Sequence, residues 1–349
     1  MNIATRPVSS GQSHGGASAE AFVQHPGYRR MFAPGQLTLG IFLPLRFFQG
    51  DMRVLEGQAE LVANIDRRGF AAVWVRDVPL FDPGFGDAGQ VFDPFTYLAY
   101  LAARTERVAL ATGSVIFSLR HPIDLAKMAT TIDHLSGGRL VLGVASGDRP
   151  VEFPAYGIDI ETRGERFAEA VTYFRKLVGP GQSSIVSPLG RMSGVDFLPK
   201  AVFGGIPLLV TGSSRQVLSW VAEHADGWLT YPHATHLPEG PRQLAQKVRA
   251  WRELIPDGGF RPHVTNEWID LVDDLHFPRT PLQGGFVLRT GRKGLIDLLG
   301  EWREAGVNHA ALGMQFAERP AAEIVQELAE EVLPLFPSHE GTAPSSVKW

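Results

Sequence analysis

Short apolar segments alternate with helical segments eight times along this chain, between residues 37 and 333. The apolar segments predict strands at 37–43, 71–75, 108–115, 140–144, 207–211, 227–230, 264–271 and 309–313. Helical periodicity follows them at 53–68, 94–105, 122–135, 162–178, 214–225, 240–254, 292–305 and 320–333. Strands that alternate with helices form a parallel sheet. Eight such units therefore predict an α/β fold, a single (β/α)8 TIM barrel.

An open, doubly wound sheet is the alternative arrangement for the same alternation. Folds of that kind that bind dinucleotides have a G-x-G-x-x-G sequence directly after the first strand. That sequence is missing here, because Gly40 lies inside the first strand and Pro44 ends it. We therefore expect the closed barrel.

Residues 120–148 combine a helix, a glycine stop, a strand and a loop of small residues. Apolar residues recur at spacings of three and four through the helix, and Gly137 and Gly138 follow where a left-handed cap is expected. The strand after them is apolar without alternation, as in a parallel sheet that is covered on both faces. Its carboxyl end leads into a loop with little side-chain bulk, Ala145-Ser146-Gly147-Asp148, which leaves the backbone open to a ligand.

Three segments interrupt the alternation. Residues 179–206 are rich in Gly, Pro and Ser and predict a small hairpin before the fifth barrel strand. Residues 231–239 and 273–285 are long loops after strands, and such loops form the ligand-binding face of a barrel. We expect a disordered extension at 1–30, the barrel at 31–337 and a flexible tail at 338–349.

Composition and charge exclude several classes of protein. A formal net charge of −4 argues against a nucleic-acid binder, because neutralising phosphates requires a basic surface. The absence of cysteine excludes disulfides and thiolate chemistry, and it fits a reducing compartment. No apolar run reaches the ~20 residues of a membrane span, and residues 1–19 lack the apolar core of a signal peptide. We therefore expect a cytoplasmic protein that binds neither nucleic acid nor membrane.

Two loops at strand ends have the composition of anion sites. Gly212 follows the fifth strand, and Ser213 or Ser214 is expected to be the N-cap of the next helix. Free amides and the helix dipole suit such a start to a phosphate, although a serine that only caps the helix is the alternative. The loop after the fourth strand ends in Arg149, whose guanidinium suits a phosphate or a carboxylate unless it is a plain surface arginine.

Two more strand ends carry candidate site residues. Gly113, between Thr112 and Ser114, marks the close approach of another group to the backbone. That group is either a flat ligand ring stacked over the strand or a neighbouring part of the protein at a β-bulge. Asp77 ends the second strand, where a barrel places catalytic or ligand-orienting groups, and an ion pair with Arg76 is the alternative.

Other chemistries have little support in the sequence. His233 and His236 lie three residues apart without an acidic partner on a shared helix, which is a poor match to a metal site. The G-x-S-x-G and P-loop motifs are absent, so hydrolase and kinase chemistry are not indicated.

Taken together, these segments resemble the bacterial-luciferase-like family of flavin-dependent monooxygenases over residues 37–336. The resemblance is carried by the run at 120–148, GFAAVWVRD at 69–77, VTGSSRQ at 210–216, HADGWLT at 224–230 and EAGVNHAALGM at 304–314. It implies a (β/α)8 barrel with an insertion region, often a homodimer. Such a barrel binds reduced flavin mononucleotide (FMN) or, in one branch, a deazaflavin at the carboxyl ends of the strands.

The resemblance also assigns roles to individual residues. The flavin phosphate would be received by Gly212, Ser213 and Ser214. The same phosphate or the ribityl chain would be reached by Ser146, Gly147, Asp148 and Arg149. The isoalloxazine ring would be lined by Thr112, Gly113 and Ser114, with a cis peptide bond between Gly113 and Ser114.

The chain departs from this family at the residue pair after the second strand. Luciferases have Glu-His there, whereas this chain has Asp77-Val78. Asp77 also carries a carboxylate, but Val78 replaces the histidine that serves as acid and base in luciferases. We therefore do not expect light emission, and Asp77 and loop histidines such as His233 are the candidates for proton transfer.

We expect a flavin-dependent oxidoreductase, a monooxygenase that uses reduced FMN and O2 on a small organic substrate. No nicotinamide-binding motif is visible, so a separate flavin reductase would supply the reduced flavin. One alternative is a deazaflavin-dependent enzyme that transfers hydride on the same barrel. Another is a non-catalytic flavin-binding protein, for which the missing histidine is the argument.

Overall fold

Eight parallel strands close into a barrel in the computed structural model, which describes residues 22–46, 55–85, 92–182, 184–231, 234–256 and 258–339. The strands of the described ranges are β1 (Thr38–Phe42), β2 (Ala72–Val75), β3 (Ala109–Ile116), β4 (Leu140–Ala145), β5 (Ile185–Ser187), β6 (Gly190–Met192), β7 (Leu208–Thr211), β8 (Gly227–Thr230), β9 (His263–Leu271), β10 (Thr280–Leu282), β11 (Val287–Thr290) and β12 (His309–Gly313). The barrel order is β1-β2-β3-β4-β7-β8-β9-β12, and β12 pairs back to β1. The predicted barrel is confirmed, and the open sheet is wrong.

Helices cover the barrel from outside. They are α1 (Pro26–Met31), α2 (Gln58–Arg68), α3 (Pro94–Ala102), α4 (Pro122–Ser136), α5 (Glu152–Ala155), α6 (Arg163–Val178), α7 (Leu218–His224), α8 (Gly240–Arg252), α9 (Arg292–Glu304) and α10 (Ala321–Glu327). After α10 the chain continues through a π-turn and a short 3-10 turn to Leu335. None of the helices in the described ranges has the length and apolar character needed to cross a lipid bilayer.

The barrel strands are buried on both faces, which explains why their sequences are apolar without alternation. Side chains that point outward pack under the helices, and those that point inward fill the barrel with alanines around a few aromatic rings. Inside, Trp74 Nε1 donates to Nε2 of His309 at 3.0 Å, and His309 Nδ1 lies 2.7 Å from Thr38 Oγ1. Burial lowers the pKa of His309 to about 3, so this ring is neutral and serves as a core hydrogen-bonding group.

The described part of the expected N-terminal extension is folded, which corrects the boundary at residue 30. Phe22 and Tyr28 are buried and belong to the cluster inside the barrel, and Gly27 N donates to Gly138 O. The segment therefore closes the amino-terminal end of the barrel. The other boundary also moves, because Ser338 donates a hydrogen bond to the C-cap residue of α2 and His339 donates one to α1. Residues 1–21 and 340–349 lie outside the described ranges.

Two hairpins are inserted into the barrel. The predicted hairpin within 179–206 is confirmed as β5 and β6, which pair antiparallel. The loop predicted at 273–285 contains β10, which pairs with β11, and β11 runs parallel to the end of β9. The tip of this second hairpin has three consecutive residues with positive φ, Gln283 to Gly285. Because β9 ends at the ligand-binding face, this hairpin adds a wall there.

Candidate active site

A cavity of about 830 Å³ lies at the carboxyl-terminal end of the barrel, where enzymes of this fold carry their active sites. Its walls come from the ends of seven barrel strands and the loops that follow, and from the β10–β11 hairpin tip. Nearly all the predicted site residues line it: Asp77, Gly113, Ser114, Ser146, Gly147, Asp148, Arg149, Gly212, Ser213 and Ser214. The structure therefore brings together residues that are up to 137 positions apart in the sequence, from Asp77 to Ser214.

The loop 212–216, here called the anion loop, differs from the predicted helix start. Neither serine is an N-cap, because α7 begins only at Leu218 with Val217 as its N-cap. Positive φ angles at Gly212, Ser214 and Arg215 form a turn instead. Among the described residues, the backbone amides of Ser213 and Ser214 have no protein acceptor. Successive amides in such a turn make an anion-binding concavity, so the phosphate prediction keeps its physical basis with a different geometry.

Helix α6 supplies a basic group beside the anion loop that sequence reasoning missed. Gln216 Nε2 donates to Gly164 O at 2.8 Å and so fixes the loop against the first turn of α6. Arg163, the first residue of that helix, lines the cavity together with Arg215. An arginine in a first turn opposes the helix dipole. This unfavourable position of Arg163 is the feature of the sequence that could have identified it as a site residue.

The loop after β4 reaches the cavity as predicted, but its arginine faces an aromatic ring. Gly147 has a φ of +83°, and a side chain there would collide with Ile116 and Phe153. Arg149 is 5 % exposed, and its Cζ lies 4.1 Å from the centroid of the Phe85 ring, a cation–π contact. Arg149 is therefore not a plain surface arginine.

The glycine of β3 is explained by the protein itself. The Gly113–Ser114 peptide bond is cis, as the resemblance implied, and the register with β4 shifts between Thr112 and Val115. A Cβ atom at Gly113 would lie 2.6 Å from Cζ of Phe42. The register shift and the close approach of Phe42 fit the bulge interpretation, and a flavin ring beside this strand stays a prediction. Thr112 does not line the cavity, because its hydroxyl is buried and donates to Gly143 O at 2.8 Å.

Asp77 forms an ion pair with Arg120 rather than with Arg76. Its Oδ1 accepts from Arg120 Nη2 at 2.7 Å, and its Oδ2 accepts from Arg120 Nη1 and from the backbone N–H of Ile116. Burial raises the pKa of Asp77, and the arginine opposes that rise. Since both oxygens are already bonded, the geometry favours a role in orienting the strand ends, and its catalytic role stays a prediction.

Aromatic side chains make another wall of the cavity. The Trp268 ring of β9 lies 5.3 Å from Phe42 and 6.1 Å from Phe286 at the hairpin tip, between ring centroids. Arg76 makes a cation–π contact with Trp268, with Cζ 5.9 Å from the ring centroid. Tyr231 and Asn266 complete this wall. Such a surface suits an apolar organic substrate.

Of the two loop histidines, the structure describes His236. His233 lies outside the described residues, and His236 lies close to Gly285 of the hairpin tip. Among the residues that the structure describes, no group of three His, Cys, Asp or Glu side chains could hold a metal ion.

Comparisons with known proteins agree with this architecture. The chain is 27 % identical over 259 residues to the uncharacterised protein Mb0978c of Mycobacterium bovis, covering 72 % of this chain and 82 % of that one. It is 30 % identical over 131 residues to the oxygenase component of the flavin-dependent trigonelline monooxygenase of Acinetobacter baylyi, covering 37 % and 35 %. The solved structure of an F420-dependent secondary alcohol dehydrogenase matches with a TM-score of 0.68 at 17 % identity, over 86 % of this chain and 98 % of that one.

At 17 % identity, the match to the alcohol dehydrogenase structure shows only that the two proteins share a fold. The family model of the luciferase-like monooxygenases matches residues 37–260, which is most of the barrel. The chain therefore belongs to the luciferase-like monooxygenase family.

Proposed function

We propose that this protein is a flavin-dependent monooxygenase that uses reduced FMN and O2 to oxidise a small organic substrate. One observation carries the proposal: a single cavity is lined both by the anion loop with Arg163 and Arg215 and by a wall of aromatic side chains. A cavity with both kinds of lining matches a phosphorylated cofactor and an apolar substrate. The similarity to a flavin-dependent monooxygenase supports the same assignment.

The residues present fit FMN. The amides of Ser213 and Ser214 and the guanidinium of Arg163 would hold the phosphate, since charge-assisted hydrogen bonds are the strong ones. The cavity-lining backbone of Gly113 and Ser114, beside Phe42, would flank the flavin ring. A hydrogen bond between the Ser114 and Thr211 hydroxyls joins these two parts of the site.

Bound reduced FMN would supply the electrons that activate O2. The protein's share is to position substrate and to exclude water. Trp268, Phe286 and Tyr231 would hold the substrate against the cofactor, and the hairpin tip would limit the entry of water. The Asp77–Arg120 pair would keep the ends of β2 and β3 in place. We also propose that a separate reductase delivers reduced flavin and that the protein is a homodimer, as the family resemblance implies.

A deazaflavin-dependent hydride transfer is the second candidate. Ser213 and Arg215 are exposed, so the phosphate end of the cavity opens to solvent. An open end admits a cofactor whose phosphate carries a longer tail, as in the deazaflavin F420. The fold match to an F420-dependent alcohol dehydrogenase is consistent with this candidate.

A binding comparison separates these candidates. FMN and F420 are titrated against the protein by fluorescence, and O2 consumption is then followed with reduced FMN and a panel of apolar carbonyl and aromatic compounds. The proposal predicts that FMN binds more tightly than F420 and that at least one compound increases O2 uptake. Tight F420 binding with no O2 uptake would favour hydride transfer, and FMN binding without turnover of any compound would favour a flavin-binding protein.

A further inference from the structure

Glu161 places a carboxylate of the protein beside the two arginines at the anion loop. One of its oxygens lies 3.9 Å from Arg163 Nη1, and the other lies 3.9 Å from Arg215 Nη2. Both arginines line the cavity, and Arg215 belongs to the anion loop itself. The protein's own anion therefore lies between the two cationic groups where we expect the cofactor phosphate.

Contacts between α6 and the anion loop bring these groups together. Arg163 and Gly164 are the first two residues of α6. A Cβ atom at Gly164 would lie 2.9 Å from Cβ of Arg215, so this turn of α6 packs directly on the loop. The hydrogen bond from Gln216 Nε2 to Gly164 O fixes the same contact. Glu161 belongs to the short 3-10 turn that leads into α6, and this packing places it next to the anion loop.

Arg163 has hydrogen-bond donors that Glu161 does not use. A guanidinium has five N–H groups, and Nη1 of Arg163 donates to Ile160 O at 2.6 Å. Its Nε donates to no acceptor among the described residues. At 3.9 Å the Glu161 carboxylate is too far from Arg163 for a hydrogen bond, so it supplies charge without a bond. A phosphate could therefore form hydrogen bonds here that Glu161 does not form.

The two ion pairs of Glu161 are weak enough to be displaced. The side chains of Glu161 and Arg215 are 75 % and 53 % exposed, so water and salt screen their attraction. A phosphate at the anion loop would form charge-assisted hydrogen bonds, which are stronger than exposed ion pairs. Its binding would still be weakened by the loss of both ion pairs.

We propose that Glu161 competes with the cofactor phosphate for Arg163 and Arg215 and thereby keeps the flavin exchangeable. Without cofactor, the carboxylate partly neutralises the two arginines. When the flavin leaves, the carboxylate returns to them and replaces the phosphate. A flavin that arrives reduced and departs oxidised needs such exchange. The inference rests on the proposed function, because it requires a flavin phosphate at the anion loop.

Glu161→Gln removes the competing charge and keeps the size of the side chain. At low ionic strength its Kd for FMN should be about three- to fivefold lower than that of the wild type, which corresponds to the strength of exposed ion pairs. Most of this change should be a slower dissociation of FMN. Riboflavin has the same ring without the phosphate, so its Kd should not change. Fluorescence titration measures both Kd values, and stopped-flow fluorescence measures the dissociation rate.

A matched variant separates competition from a general change in charge. Glu165→Gln removes the same charge from an exposed position in the first turn of α6, where Glu165 forms no ion pair with another described residue. It should bind FMN like the wild type. At ~1 M salt, where charges are screened within about 3 Å, Glu161→Gln should also bind FMN like the wild type.

A double-mutant cycle tests whether Glu161 acts through the arginines. In an Arg215→Met background, Glu161→Gln should increase FMN affinity less than it does in the wild type, because one of the two ion pairs is already missing. An unchanged Kd for FMN in Glu161→Gln at low salt would overturn the inference, as would an equal gain in Glu165→Gln or an equal gain for riboflavin. If the wild type binds FMN no more tightly than riboflavin, the proposed phosphate site is wrong, and the inference is wrong with it.

Discussion

Tight packing against Phe42 leaves no space for a side chain at Gly113, which lines the cavity. Gly113→Ala would place a Cβ atom 2.6 Å from Phe42 Cζ, and crowding of this kind costs about 1–3 kcal/mol of unfolding free energy. Gly300→Ala is the matched control, because its Cβ would meet nothing within 4 Å inside α9, and alanine there adds about 0.5–1 kcal/mol. Urea unfolding measures the free energy of unfolding of both variants. Equal stability of the two variants would contradict the packing argument at Gly113.

Arg163 is the residue with the largest expected contribution to phosphate binding. Arg163→Met should weaken FMN binding tenfold or more, since hydrogen bonds to charged groups contribute ~1.5–3 kcal/mol, and it should leave riboflavin binding unchanged. Ser213→Ala should cost less, because the anion loop binds through backbone amides. Arg249→Met, exposed on α8, is the control. Equal losses of affinity for FMN and for riboflavin would show that the phosphate does not bind at Arg163.

Among the elements, α1 departs furthest from what the sequence indicated. Phe22, in the segment that leads into α1, is 2 % exposed and packs in the cluster inside the barrel, so Phe22→Ala should lower the unfolding free energy by about 3–5 kcal/mol. Val23 in the same segment is 52 % exposed, and Val23→Ala should change stability by less than about 0.5 kcal/mol. Thermal unfolding compares the two. A disordered extension would give no loss for either.

The regular elements could be predicted because strands buried on both faces leave a strong local signal, as at 140–144. The anion loop could not, because Gly212-Ser213-Ser214 fits both a helix cap and a left-handed turn. The ion-pair partner of Asp77 could not be predicted either, because Arg120 lies 43 positions away in the sequence whereas Arg76 is adjacent. The cis bond at Gly113 was expected from the family resemblance and not from the residues alone.

At the scale of the whole molecule, stability should depend on the ionisation of Glu267. Burial raises the pKa of this β9 carboxyl from 4.5 to about 8, while bonds to Thr235 and to the Trp268 amide oppose the rise. The folded state therefore holds the proton more tightly than the unfolded state. As the pH rises from 4.5 to about 8, Glu267 lowers the free energy of unfolding by a growing amount. Glu267→Gln should raise the Tm at alkaline pH and have little effect near pH ~4.5. A Tm difference that is independent of pH would contradict this assignment.

The central claim is that one end of the barrel cavity holds the phosphate of a flavin. A crystal structure of the protein with FMN tests it most directly. We expect the phosphate within hydrogen-bonding distance of the Ser213 and Ser214 amides and of Arg163, with the flavin ring beside Gly113 and Ser114. A phosphate bound away from the anion loop, or a flavin outside the cavity, would contradict it.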